Sequence, residues 1–336
     1  MAPAMTSRLY DLADQFLRLA PWTWMNEEQL IGLQHPDTNE IAWISIMGAG
    51  GNHRTLALYL GTEAIQRFNL IQQHEYHDIL LTREDIVSLI LETRQLQATF
   101  AFRNELFPHE LATIKSLKRK YRGENWPAFR SFRQSLAPVT ASPEEASWLE
   151  FAIEQALIVA PRLRHDPFAN LAANTDHNVA LVRSRSSGSW QDSWHPEITS
   201  IYSFPEPEPS ELLVASIRKL PRSKPVATSW HMIPEPVGKP GEAFFAYLSL
   251  TVEAASGKIV SLDTANPLDG ISPPDSILRA WLKAGINPSA ILTNSAATAA
   301  TLAATARALN IPLHINPHIP ALDVAASGLA NFLSQI

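Results

Sequence analysis

Between Lys115 and Arg133 the chain reads KSLKRKYRGENWPAFRSFR, seven basic residues against the single acid Glu124, with Tyr121, Trp126, Phe129 and Phe132 among them. Cations interleaved with aromatics can pair with phosphates and stack on bases, the chemistry of a single-stranded nucleic acid or a phosphorylated partner. Lys118, Arg119, Lys120, Arg122, Trp126, Arg130 and Arg133 are the candidate contact residues. The competing reading makes Trp126, Phe129 and Phe132 core anchors, with the bases offsetting an acidic segment before Leu111. It is the favoured one.

A second kind of chemistry needs carboxylates. Asp263 ends the strand-like run IVSLD, Glu253 ends AYLSLTV, and Asp323 opens the last helix. Together they are the material for a two-metal site of the ribonuclease H kind, which requires several acids, one of them inside the first strand. The run AYLSLTV, read as that first strand, has no acid before Glu253, and AILTN ends in Asn294. The expectation is therefore no catalytic set, with Glu253, Asp263 and Asp323 as weak candidates. The close histidine pairs, His74 with His77 and His314 with His318, lack helical i, i+4 geometry, and neither metal nor cofactor is expected. Gly48-Ala49-Gly50-Gly51 lies between two strand-like runs and reads as a hairpin turn rather than a phosphate loop. Neither a G-x-S-x-G elbow nor a Walker loop occurs.

Hydrophobic periodicity supplies the elements that position these groups. Helical spacing covers 6–20, where Pro21 stops it, and strand-like runs cover 41–47 and 55–60. Thr62 caps a helix through Leu70, and a helix at 82–92, a strand at 97–103 and a helix at 108–121 follow. Ser142, Pro143, Glu144 and Glu145 start a long helix to Leu163, as cap, first-turn proline and dipole partners. Residues 164–176 read as loop, and VALVRSRSSGSWQDSW as a hairpin turning at 186–188. The stretch IPEPVGKPGE (233–242) is the strongest linker signal, with FPEPEP (204–209) behind it. After it come a hairpin over AFFAYLSLTVEA and IVSLDTA, then helix 273–285, strand AILTN, helix 295–309, strand IPLHIN and helix 319–334. The reading is an α+β N-terminal domain with antiparallel hairpins (1–165), an intermediate hairpin region (166–240) and a small α/β domain with a mixed sheet (241–336), compatible with a ribonuclease-H-like fold.

Composition narrows the function classes. The 336 residues are 46% apolar and 18% charged, which excludes a disordered chain. A net charge of −6 makes any nucleic-acid contact local. The absence of cysteine removes thiol nucleophiles and thiolate metal sites. Thirteen glycines leave few places for phosphate loops. Asp11 and Asp14 interrupt the N-terminal segment where a signal peptide needs an apolar core, so a cytoplasmic setting without a membrane is expected.

Trp126, Pro127, Phe129, Arg130 and Ser131 form a W-P-x-F-R-S segment, and Met47, Gly48, Tyr59, Leu60 and Gly61 belong to the preceding hairpin. With these motifs the chain resembles an uncharacterised bacterial two-domain family, whose C-terminal part, here from about Ala243 to Phe332, is similar to an accompanying domain of unknown function. The resemblance implies a prokaryotic cytoplasmic protein and brings no activity, cofactor or catalytic residue. The functional expectation is a non-catalytic interaction or regulatory protein, with a protein partner. A nucleic-acid-associated protein using 115–133, and a hydrolytic or phosphodiester-directed enzyme with an unidentified site, are the alternatives.

Overall fold

A computed structural model describes residues 7–51, 53–170, 179–186, 188–239 and 241–333. The tip of the expected hairpin at Ser187, and the expected loop from residue 171 on, lie outside them. The chain divides into two compact units, one of residues up to Arg67, Thr93–Gln134 and Pro138–Ser200, the other of Phe68–Glu92, Ser135–Ala137 and Ile201 onward.

In chain order the elements begin with α1 (Ser7–Leu19), β1 (Ile31–Gln34), β2 (Ile41–Met47), β3 (Thr55–Leu60), α2 (Thr62–Gln73) and α3 (Arg83–Glu92). They continue with β4 (Gln95–Ala101), α4 (Pro108–Ser116), β5 (Trp126–Phe132), β6 (Val139–Thr140), α5 (Pro143–His165), β7 (Val179–Ser186) and β8 (Ser189–Pro196). The remainder is α6 (Glu211–Arg218), β9 (Val226–Val237), β10 (Phe244–Glu253), β11 (Ile259–Ala265), α7 (Pro273–Ala284), β12 (Ile291–Thr293), α8 (Ala296–Leu309), β13 (Leu313–Ile315) and α9 (Pro320–Leu333).

The first unit is built on an eight-stranded mixed sheet of order β6-β5-β4-β3-β2-β1-β7-β8, antiparallel throughout except where β1 runs parallel to β7. Gly32 is required at that junction, since a Cβ there would meet Val182 Cγ2 at 2.5 Å. Leu9, Leu12, Ala13 and Phe16 of α1 are buried with Leu149, Ala152, Ile153 and Ala156 of α5 in one core with the inward residues of β1–β5. The start of α5 is the expected one: Ser142 Oγ accepts from Glu145 N at 3.2 Å, and Glu145 Oε2 accepts from Ser142 N at 2.8 Å, satisfying two donors of the first turn reciprocally. Gly48 turns at φ 122° between β2 and β3, as the hairpin reading requires, and a side chain there would press on the Arg54 Cα.

The second unit holds a five-stranded mixed sheet, β11-β10-β9-β12-β13, in which β9, β10 and β11 form an antiparallel meander and β9, β12 and β13 run parallel. Trp281, Ile277 and Leu278 of α7 share a core with Trp230 of β9 and Leu302 of α8, and Ile319, just before α9, and Leu322 of α9 pack with Leu250 and Val252. Segment 68–92 belongs here. Met232 N donates to Ser88 Oγ at 3.0 Å, and Asp85, 2% exposed, accepts the Ser295 hydroxyl at 2.8 Å.

Three expectations are corrected. The proline-rich stretch 233–242 is no break between folded parts: through Val237 it is the outer end of β9, and it turns into β10 at Gly238, φ 118°. Pro234 and Pro236 are tolerated because β12 pairs with β9 only at Val226 and Ala227, so no ladder bond is lost on that side. Consequently the first strand of this sheet is VATSWHMIPEPV rather than AYLSLTV, and its first acid, Glu235, is exposed. The helix expected to reach 121 ends at Ser116, where Lys118 takes a left-handed φ of 54°.

Candidate binding surface

The cations of 115–133 part company in the folded chain. Arg119 donates to Asp14 Oδ2 at 2.8 Å, to Asp11 Oδ1 at 2.5 Å and to the Ser7 backbone oxygen at 3.1 Å, with its guanidinium 5.6 Å from the Tyr10 ring centre. It ties the loop after α4 to α1. Arg130 reaches the Glu105 carbonyl at 2.6 Å and Glu110 Oε2 at 3.2 Å, and lies 4.5 Å from the Phe107 ring centre. Arg133 stands 3.6 Å from Glu145. Burial opposes the ionisation of Glu145, yet the Ser142 amide, the Ser131 hydroxyl and the Arg133 charge hold its carboxyl below the ordinary range. Arg119, Arg130 and Arg133 therefore serve structural ion pairs.

Lys118, Lys120 and Arg122 are exposed. They lie along the loop from α4 to β5, which Arg54 holds by donating to the Glu124 carbonyl at 2.7 Å and to Asn125 Oδ1 at 3.1 Å. Because β4 and β5 are antiparallel with Ala101 opposite Trp126, the residues just after β4 come beside the residues just before β5. The result is a shallow hollow of about 490 Å³ lined by Phe102, Arg103, Asn104, Tyr121, Arg122, Gly123 and Trp126. Tyr121 meets Trp126 edge-on at 5.8 Å, Arg103 lies over the Trp126 ring at 5.8 Å, and Phe102 is 48% exposed. Burial pushes the Tyr121 phenol up to about 12, so it stays protonated across the physiological range. Trp126 is half-buried, so it both anchors the sheet and offers a face, whereas Phe129 is fully in the core.

Phe102, Arg103 and Asn104 were outside the segment that composition singles out. Reading WPAFRSF as a strand antiparallel to QLQATFA would have brought them in, and Pro127 concealed that strand.

The carboxylates are placed otherwise. Glu253, at the end of β10, pairs with Lys224 and accepts the Ser256 hydroxyl at 3.0 Å, and these two partners hold it below the usual range. Asp263 is exposed on β11 and accepts from Thr264 N at 2.9 Å. Asp323, in the first turn of α9, stands 3.3 Å from His318. His74 Nδ1 lies 3.0 Å from the Ile71 carbonyl, and His77 and His314 are exposed. Among the described residues no group of three or more His, Asp or Glu stands together as a metal site, and no helix is long and apolar enough to cross a membrane.

Comparison with protein families gives two matches, both of undetermined role. Neither the curated proteins nor the solved structures contain a match. Residues 213–330 match the family described as Domain of unknown function (DUF6930), a span from within α6 to within α9. Residues 7–183 match Domain of unknown function (DUF7309), and with more than half of its length in that match the chain belongs to this family.

Proposed function

We propose that the protein is a non-catalytic binding protein whose contact surface is the hollow between Phe102 and Trp126, and that its ligand is a single-stranded nucleic acid. The observation that carries this reading is the convergence of Phe102, Tyr121 and Trp126 with Arg103 and Arg122 on one accessible surface. A flat ring entering there stacks on an aromatic face while the arginines pair with the attached phosphate. Lys118 and Lys120, exposed on the same loop, extend the positive rim. The net charge of −6 confines such binding to this patch, and each phosphate that its cations pair with makes the binding weaken with salt.

The dispersal of Glu253, Asp263 and Asp323 into local partnerships supports a binding role over phosphodiester chemistry. The meander β9-β10-β11 followed by β12 and β13 on the far side of β9 supports a ribonuclease-H-like reading of the second sheet. A cytoplasmic setting is part of the same proposal.

Titration of a fluorescent oligothymidylate at several salt concentrations tests it. Binding that weakens with salt, and whose salt slope falls by about one for each of Lys118, Lys120 and Arg122 reversed to Glu, is the expected result. Affinity unmoved by all three reversals overturns the assignment of the surface, and no binding at low salt overturns the ligand class.

A further inference from the structure

The order β11-β10-β9-β12-β13 turns back at β9: β10 and β11 lie on one side of it, β12 and β13 on the other. Open α/β sheets hold ligands beyond the carboxyl ends of their parallel strands at such a reversal. Here β9 and β12 pair only at Val226 and Ala227, and the chain fills the crevice beyond them with its own residues 80–92. Met232 N, on the outer half of β9, donates to Ser88 Oγ. Just beyond β12, Ala296 N donates to the Leu80 carbonyl at 3.1 Å and the Ser295 hydroxyl donates to Asp85. The filling is weakly anchored. Of the ten residues of α3, Asp85 and Leu89 alone are fully buried, and one of the two is a carboxyl. A segment that buries so little apolar surface opens below the free energy of global unfolding.

We propose that residues 80–92 are a releasable cover over this crevice, held shut through Asp85, and that they detach together while the five-stranded sheet, α7 and α8 stay folded. Opening bares the Met232 and Ala296 amides and the Ser295 hydroxyl. The Asp85 carboxyl meets uncharged donors, Thr82 N and the Ser295 hydroxyl. Arg83 and Glu84 beside it on α3 are exposed, and the first ten residues of α8 carry no charge. On β9, burial holds the His231 imidazole below its ordinary value, against the pull of Glu84. Burial raises the Asp85 carboxyl while the cover is shut, and detachment returns it to water. Closing therefore takes up a proton. The open fraction grows by up to about tenfold per pH unit between the ordinary carboxylate range and the raised value, and levels off above it. Release of His231 would carry the opposite sign, favouring opening as pH falls.

Hydrogen exchange of the full chain across a pH series, resolved to single amides and divided at each pH by the intrinsic amide rate, tests this. The Met232 and Ala296 amides, distant in sequence, are expected to share one opening constant with the amides of 86–92, above that of α7. The Trp230 and Thr298 amides, whose acceptors Thr298 Oγ1 and Ser295 Oγ lie outside the cover, are expected to stay protected. Asp85→Asn is expected to flatten the pH dependence, and Leu89→Ala to raise the opening constant of the cover by at least about tenfold while α7 is unchanged. Exchange of 86–92 only at the rate of α7, Met232 and Ala296 amides that do not follow the cover, or a pH dependence that persists in Asp85→Asn overturns the proposal.

Discussion

In the first unit, side chains able to do chemistry gather from two stretches of sequence onto one surface; in the second, the three candidate acids go to separate partners. Antiparallel pairing of β4 with β5 makes the first outcome, since it brings Phe102 and Arg103 beside Tyr121 and Trp126 across some twenty residues of chain. The second arises because Glu253 ends β10 beside Lys224, Asp263 sits on the edge strand and Asp323 opens α9 beside His318. Residue type nominates a group for chemistry, and topology decides whether it has companions. The same contrast runs within the basic segment, where Arg119 is committed to α1 and its neighbours Lys118 and Lys120 face solvent.

The sharpest division is between committed and exposed cations. Arg130→Ala leaves Glu110, 4% exposed, without its cation, and is expected to cost about 3 kcal/mol in urea unfolding. Arg119→Ala is expected to cost about 2 kcal/mol, because both its aspartates keep some access to water. A loss under 0.5 kcal/mol for either would erase the distinction.

Two helix starts offer the next comparison. Ser142 with Glu145, and Thr82 with Asp85, are the same reciprocal cap in different surroundings. Burial raises the Asp85 carboxyl, and the donors that oppose it, Thr82 and Ser295, are uncharged; Glu145 has Arg133 and is held low. The signs are therefore opposite. Asp85 contributes stability that is present at low pH and is lost as pH rises through its raised value, whereas Glu145 contributes stability that is present at neutral pH and is lost as pH falls through its lowered value. Unfolding free energies across a pH series are expected to lose the first dependence in Asp85→Asn and the second in Glu145→Gln. An unchanged profile in either variant would show that its carboxyl does not titrate as described.

Smaller is the removal of the α5 cap: Ser142→Ala is expected to cost about 1 kcal/mol. Smallest are Lys118→Ala, Lys120→Ala and Asp263→Asn, each expected within 0.5 kcal/mol of the unmodified protein. A larger loss from a lysine would mean that it, too, is structural.

Much of the fold was legible where local signals agree with tertiary demand. The Ser142 cap with Pro143 announced α5, and the glycines after Met47 announced the β2–β3 hairpin. Illegible were β5 and β9, for one physical reason. Each carries proline on a side of the strand that lacks a neighbour over that stretch, and a local reading cannot tell such a position from a break in the chain. The hollow was half legible: Tyr121, Arg122 and Trp126 stood out by type, whereas Phe102 and Arg103 enter only through the strand pairing.

Hydrogen–deuterium exchange of the full chain with and without a saturating oligothymidylate tests most directly whether the hollow is the ligand surface. Added protection confined to residues 102–104 and 118–126, absent in Trp126→Ala, is the predicted result. Protection centred elsewhere, or an unaltered exchange pattern under conditions where binding is seen, would contradict it.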